Sequence, residues 1–432
     1  MSWEDFQKVL PQTASIGRGG VLEIGGCNTA ELAKEFGTPL FVMDLAELRD
    51  RIGRYKDAFG PQNVYYATKA FLTKSFAPIA AEEGICLDCV AGGEVYTALA
   101  GGFPASRIGV HGNNKSRSEI VEALEAGVGR IVVDSFPELE LLREVTAEIG
   151  TVARVLLRIT PGVDVHTHSY LSTGVEDSKF GFTIGDVAMR AVEAAARIES
   201  VELAGLHSHI GSQSFELEPF AEAARKMVGF LAEARRTTAL ELPELDLGGG
   251  LGIAYLPSDE PSSIEDLAKV LHDAVGAEAE RLGTPIPTVK VEPGRSIAGP
   301  SMVTLYTAGT IKDVAGKRYV AVDGGMSDNI RVPLYQAKYT YLSASRPEAI
   351  HDRPATIAGK LCETGDLIGF DIALPEVEAG ELLACAATGA YGYSMASNYN
   401  KQPRPAVIAA FGGETRLLAR RESYEDLVRL EG

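Results

Sequence analysis

The chain has 432 residues, 45% of them apolar and 23% charged, which is enough to bury a large core and too long for most single domains, so two domains are expected. No window approaches the roughly 18 uninterrupted apolar residues of a membrane helix, and a net charge of −18 repels phosphate backbones. Membrane and nucleic acid are therefore excluded as partners, and small molecules remain.

Met1 to Leu10 lacks a basic region followed by an apolar core, so nothing marks export, and the cytoplasm is the expected location. The five cysteines, Cys27, Cys86, Cys89, Cys362 and Cys385, are odd in number and scattered, which does not read as a disulfide framework. Cys86 and Cys89 have the spacing of redox and zinc pairs. They lie in a strand-like apolar run, where residues three apart face opposite sides, and no second pair exists, so both read as core.

In chain order, residues 1–38 form a leader of mixed character, punctuated by glycines, that builds no domain alone. A strand is expected at 40–44 and an amphipathic helix at 45–59. Strands then recur at 64–69, 85–90, 107–112, 130–135, 155–160, 203–210, 245–248 and 289–292, each closed by a polar or glycine-rich tip. Helical periodicity fills the intervals, as at 72–83, 118–126, 137–148 and 186–198. A repeat of roughly 20 to 25 residues fits βα units, and eight of them predict an α/β protein built on a (β/α)₈ barrel. Residues 161–182, rich in Gly, Ser, Thr and His, are too long and irregular for a plain connection and read as either a lid or a disordered insertion. Beyond Glu292 the alternation at 302–314, 318–322, 354–359, 382–386, 406–411 and 415–419 predicts an antiparallel β domain with which the leader pairs. The expected division is 39–295 for the barrel, and 1–38 with 296–432 for the β domain.

Barrel chemistry sits where strands end and helices begin. The first strand delivers Lys69 to that rim, the sixth ends in His207-Ser208-His209, the seventh in Asp246-Leu247-Gly248-Gly249-Gly250, and the eighth in Glu292-Pro293-Gly294-Arg295. Alone, Lys69 reads as a surface charge and the glycines as a tight turn; the run is neither a Walker loop nor a Rossmann opening. Two histidines at i and i+2 share a strand face and suit a metal, as does the pair His166 and His168. The conjunction is more specific than its parts. Pyridoxal 5'-phosphate needs a lysine for its aldehyde, an anion cradle for its phosphate and a carboxylate for its pyridine nitrogen. Lys69, the glycines and Glu292 supply these on strands one, seven and eight, which are neighbours in a closed barrel. His209 then becomes a flat group for the ring, and no metal is required.

These motifs, with Tyr66-Ala67-Thr68-Lys69-Ala70, His207-Ser208-His209-Ile210-Gly211-Ser212-Gln213, Cys362-Glu363-Thr364-Gly365-Asp366 and Gly389-Ala390-Tyr391, resemble the fold type III pyridoxal-phosphate-dependent decarboxylases over about residues 16–430. The resemblance implies that Lys69 anchors the cofactor covalently, His209 stacks on its ring, and Glu292 meets its pyridine nitrogen. Ser212 and the backbone of Gly248, Gly249 and Gly250 are implied as phosphate ligands, with Gly294, Arg295 and Tyr391 also on the cofactor. Arg295, Arg331, Tyr335, Glu363 and Tyr391 are implied to contact substrate. Cys362 is implied as the proton donor, reaching the site with Glu363 from the other subunit of a homodimer. Within that family, the implied reaction converts meso-2,6-diaminopimelate into L-lysine and CO₂.

Two departures, Gly392 where Cys is frequent and Thr364 where Ser is common, hold no proposed chemical role. On general grounds Cys362 reads as a buried apolar-like residue, although the adjoining Glu363 and Gly365-Asp366 argue for a loop where a thiol is exposed; without the resemblance Arg331 and Tyr335 read as surface residues around Pro333, which biases Val332 away from helix. Rival readings are a racemase or a decarboxylase of another basic or D-amino acid on the same scaffold, a non-catalytic cofactor carrier, and a metal hydrolase using the histidine pairs.

Overall fold

In the computed structural model, which describes residues 1–163 and 179–432, the leader is ordered. Ser2 and Asp5 form a capping box that starts the helix Trp3–Gln7, and Asn28 caps the helix Thr29–Phe36 by accepting from the amides of Ala30 and Glu31. Between them β1 (Ser15–Ile16), β2 (Leu22–Ile24) and β3 (Cys27–Asn28) make a three-stranded antiparallel sheet of their own. The leader thus joins the β domain by packing more than by strand pairing: Phe6, Leu22, Ile24 and Leu32 are buried in one apolar cluster with Leu40, Val303, Leu305 and Ile408.

The chain separates into two units, one comprising Met1–Arg51, Ile253–Glu260 and Arg295–Gly432, the other Ile52–Gly252 and Pro261–Gly294. The boundary expected at residue 39 differs, because β4 (Leu40–Asp44) lies in the sheet of the first unit. All five of its residues are buried, so it needs cover on both faces and a neighbour on each edge.

The second unit holds the eight expected barrel strands: β5 (Tyr65–Ala67), β6 (Cys86–Cys89), β7 (Ile108–Val110), β8 (Arg130–Val133), β9 (Ala153–Thr160), β11 (Val201–His207), β12 (Glu244–Asp246) and β13 (Thr288–Lys290), with a short β10 (Phe182–Thr183) beside β9. Every pairing is parallel. The ring closes through the bridge of Val64 with Val291, and the amides of Tyr65 and Ala67 reach the carbonyls of Val291 and Pro293 at 2.9 and 3.1 Å. Cys86 and Cys89 are buried in β6, as their strand context implies. After β5 the helix runs only from Ala77 to Glu82 instead of over 72–83; Pro78 fits its first turn, where an amide donor has no helical acceptor. His166, His168 and most of the expected lid lie outside the described residues.

The first unit continues with β14 (Met302–Val314), β15 (Lys317–Val322), β16 (Tyr341–Ser343), β17 (Arg353–Ala358), β18 (Leu367–Leu374), β19 (Leu382–Cys385), β20 (Ala406–Phe411) and β21 (Glu414–Ala419). Its sheet runs β18-β17-β15-β14-β4-β20-β21, with β19 and β16 branching from β14. The sheet is mixed where an antiparallel one was expected: β15 with β17 and β4 with β20 are parallel. Alternation of apolar and polar residues reveals a strand and not the direction of its partner. Arg331–Tyr335 is a short helix despite Pro333, since the first-turn amide that proline lacks has no intrahelical acceptor. Among the described residues, no helix is long and apolar enough to cross a membrane.

Candidate functional site

The rim of the barrel is organised by the turn that follows β5. Thr68 gives both its amide and its hydroxyl to the carbonyl of Asp88, at 2.9 and 2.8 Å, while the Tyr66 hydroxyl reaches over the turn to the Phe71 carbonyl at 2.9 Å. Between buried Thr68 and Ala70, Lys69 is the exposed residue. Its ammonium acts electrostatically on two neighbours, favouring the anion of Asp88 and disfavouring the cation of His209.

The glycine run follows β12 and lies closely against the backbone of Ser208, Gly211 and Glu292. A Cβ on Gly249 would stand 2.2 Å from the Glu292 carbonyl oxygen, and one on Gly250 2.4 Å from that of Gly211. Gly248 and Gly250 have φ of 68° and 127°, where side chains are strained. The Gly249 amide donates to Nδ1 of half-buried His209 at 3.3 Å, which places the imidazole proton on Nε2. Burial, then Lys69 and Arg158, hold His209 well below its usual range, so the ring is neutral. Ser212, half-buried, and Gly294, whose Cβ would press on Ala67 and Ala70, complete the barrel-side set.

Glu292 is buried just after β13 and meets two imidazoles. His207, ending β11, puts Nε2 3.1 Å from Oε2; His111, just beyond β7, puts Nε2 2.7 Å from Oε1 and 3.4 Å from Asp88 Oδ1. Burial alone would raise the Glu292 carboxyl, but the two imidazoles, first electrostatically and then as hydrogen-bond partners, outweigh it and hold the group well below the ordinary range as an anion. Burial pushes His111 down to about 3, so its ring is neutral. Asp88 is pushed up by burial and then by the Glu292 charge, and Asp246 up to about 7 by the same two causes, so one negative charge is concentrated on Glu292. The histidine pair of the sequence therefore divides, His207 to Glu292 and His209 to Gly249. The His207 contact is aligned, whereas the His111 ring N–H points off the line, leaving Oε1 buried without an in-line donor. An anionic oxygen still short of a donor, a lysine and a glycine cradle on one barrel end fit the pyridinium, aldehyde and phosphate of pyridoxal phosphate.

In the first unit a second cluster forms. Arg295, in the short helix Arg295–Ala298, and Arg331 both donate from Nη1 to the Tyr255 hydroxyl, at 2.7 and 3.0 Å, and Arg331 also reaches the Ala390 carbonyl at 3.4 Å. Both guanidiniums lie over the rings of Tyr255 and Tyr391, 5.0 to 5.9 Å from the centroids. Burial would raise the Tyr255 phenol, and the two cations outweigh it and lower it. Tyr335 ends the helix that Arg331 begins and is half-buried. Cys362 and Glu363 are exposed on the loop between β17 and β18, where a Glu363 oxygen accepts from Tyr399 at 3.1 Å. The structure thus favours the loop reading of Cys362 over the buried one: its loop leaves the sheet before the thiol can pack.

Asp88, His111 and Tyr255, and Arg158 stacked 4.1 Å over Phe180, are members of these clusters that sequence reasoning missed. Asp88 is the penultimate residue of β6 and His111 directly follows β7, so the strand-end rule marks their positions but not the partners that give them meaning.

Residues 45–299 match the family described as pyridoxal-dependent decarboxylase, pyridoxal binding domain. The chain is 50% identical over 418 residues to a diaminopimelate decarboxylase of Bacillus subtilis, covering 95% of each chain. It is 47% identical over 435 residues to one of Mycobacterium bovis, covering 98% of this chain and 97% of that one. Among solved structures it resembles a diaminopimelate decarboxylase of M. jannaschii in complex with L-lysine, with a TM-score of 0.90 at 34% identity over 97% of this chain and 98% of that one.

Proposed function

The chain belongs to the pyridoxal-dependent decarboxylases and, within them, to the diaminopimelate decarboxylases, and from that membership we propose how its own residues divide the reaction. It is a carboxy-lyase that uses pyridoxal 5'-phosphate to convert meso-2,6-diaminopimelate into L-lysine and CO₂, the last step of lysine biosynthesis. The observation that carries the residue assignment is the buried Glu292 anion between two imidazoles on the barrel end that bears Lys69.

Pyridoxal phosphate, when bound, supplies the electron sink that accepts the pair left behind by CO₂. Lys69 lends its Nζ to the covalent attachment of the cofactor and yields that place to the substrate amine. Glu292 holds a proton on the pyridine nitrogen, which a carboxylate does and a neutral group does not. His209, neutral and flat, packs on the ring, and the backbone of Gly248, Gly249 and Gly250 receives the phosphate with Ser212, because only residues without side chains let amides approach so closely. Gly294 lets the backbone pass close to Ala67 and Ala70, in the turn that carries Lys69.

The product keeps the L centre of a meso substrate, so the carboxylate lost is the one on the D centre. Arg295 and Arg331 bind the carboxylate that stays, as two planar forks suited to a carboxylate, with Tyr335 and Tyr391 beside them. Glu363 takes the ammonium of that end. The Cys362 thiol then delivers its proton to the carbon that lost CO₂. Cys362 and Glu363 come from the second subunit of a homodimer, the barrel forms a cofactor domain and the remainder a β domain, and the enzyme works in the cytoplasm, where its free thiols stay reduced. Borohydride reduction of the holoenzyme followed by peptide mapping tests the anchor: a pyridoxyl group on Lys69, lost in Lys69→Ala, supports the assignment, and a label on any other lysine overturns it.

A further inference from the structure

Among the described residues, the Glu292 carboxylate is met by His207 and His111, both from other strands, and the closer of the two contacts belongs to a residue with no part in the scheme above. His111 stands just past the end of β7, 7% exposed, with Nε2 2.7 Å from Oε1 of Glu292. Its ring meets that of His207 edge to face, centroids 4.7 Å apart and planes at 67°, while His207 holds Oε2 from 3.1 Å. The two carboxylate oxygens are thus approached separately by two rings set at a steep angle to one another, His207 in line with Oε2 and His111 in close, off-line contact with Oε1. With His207 alone, the carboxylate could still turn about its last torsion, which is broad for a glutamate. The close approach of His111 narrows that freedom. We propose that His111 is a positioning residue for Glu292, fixing the plane in which the carboxylate is offered to the pyridine nitrogen.

The chemistry of the neighbours fits this role. A neutral imidazole carries one N–H, and beside an anion the nitrogen at 2.7 Å is the one that bears it. Being neutral, His111 orients the Glu292 charge without cancelling it; an imidazolium there would satisfy the anion before a pyridinium arrived. Asp88 Oδ1 lies 3.4 Å from the same nitrogen, and burial, then the Glu292 charge, pushes its carboxyl up, which weakens it as a competing acceptor. Lys69, Glu94, Arg158, His209 and Asp246 also act on this cluster, Glu94 and Asp246 raising Asp88 further.

The inference rests on Glu292 being the partner of the pyridine nitrogen, so Glu292→Gln is assayed beside His111→Phe and His111→Gln. Each protein is stripped of cofactor and titrated with pyridoxal phosphate by absorbance, and kcat and KM for meso-diaminopimelate are measured on the reloaded protein. A misplacement of about 1 Å at a reacting group costs roughly 100-fold. His111→Phe should therefore weaken cofactor binding about 10-fold or more and lower kcat by about 10- to 100-fold, with KM changed less than about 3-fold. His111→Gln, whose amide can still donate to Glu292, should recover most of both losses. A purely structural role would lower the melting temperature and affect both variants alike. His111→Asn, which folds into less volume and falls short of Glu292, replaces the Phe variant if that one does not fold. Normal cofactor affinity and kcat in His111→Phe, or no advantage of Gln over Phe, overturns the proposal. Normal kcat in Glu292→Gln would instead overturn the assignment of Glu292 on which it stands.

Discussion

Substituting Gly249 by alanine strikes the candidate site through the backbone alone. The new methyl would lie 2.2 Å from the Glu292 carbonyl oxygen and 3.0 Å from its carbonyl carbon. Comfortable carbon contacts begin near about 3.5 Å, so the two segments must part by roughly 1 Å. They are not free to do so, because the Glu292 amide donates to the Gly248 carbonyl at 2.8 Å and the Gly249 amide donates to His209. Whatever moves carries Glu292, His209 or both. Overpacking of this kind destabilises by about 1 to 3 kcal/mol, and a shift of about 1 Å in two positioned groups should lower kcat by roughly 100-fold or more. The assay is cofactor titration of stripped Gly249→Ala, kcat at saturating cofactor, and a thermal melt. Gly229→Ala is the control: that glycine lies inside a helix with open space around it, so alanine there should leave activity unchanged and add up to about 1 kcal/mol of stability. Gly249→Ala with cofactor affinity and kcat within about 2-fold of the parent would refute the reasoning.

Arg331→Leu should act mainly on the preferred substrate, lowering kcat/KM for meso-diaminopimelate by about 10- to 100-fold, the worth of a charged hydrogen bond, while changing that for L-lysine little; equal losses for both would contradict it. Asp246, pushed up to about 7 by burial and then by Glu292, keeps in the folded state a proton that the unfolded chain gives up near 3.8. Its contribution to stability is therefore full below pH 4 and lost as pH rises toward 7, at up to about 1.4 kcal/mol per pH unit. Melts of the parent and Asp246→Asn should differ least at the acid end, with the variant gaining steadily on the parent to pH 7; a gap independent of pH would count against the assignment. Lys69→Ala and Cys362→Ala should each be nearly inactive, yet mixing equal amounts under subunit exchange should restore roughly a quarter of parental activity, since half the dimers then hold one intact site. No recovery despite proven exchange would remove Cys362 from the partner's site.

Much of the barrel was legible because its eight strands are short, almost wholly buried and spaced by helices, a pattern with few other readings. Lys69 and Glu292 stood out as charges at strand ends, and the glycine run as a backbone surface. His111 did not stand out, because its meaning comes from Glu292, far along the chain, which only barrel closure makes adjacent. Tyr255 was hidden for the same reason: its value lies in two arginines brought to one oxygen. The β4 segment was read into the barrel because local periodicity describes a strand and not its sheet. The exposed loop carrying Cys362 was read correctly from its Gly365-Asp366 turn, whereas the short helix at Arg331 was masked by Pro333, a residue that a first turn tolerates.

The central claim is a reaction, and its most direct test is product analysis with purified holoenzyme over meso-diaminopimelate, L-lysine, L-ornithine and L-arginine. CO₂ and L-lysine should appear in equal amounts from meso-diaminopimelate, with kcat/KM at least about 10- to 100-fold above that of any substrate lacking the second carboxylate. No CO₂ from meso-diaminopimelate, or equal efficiency with ornithine or lysine, would contradict the account.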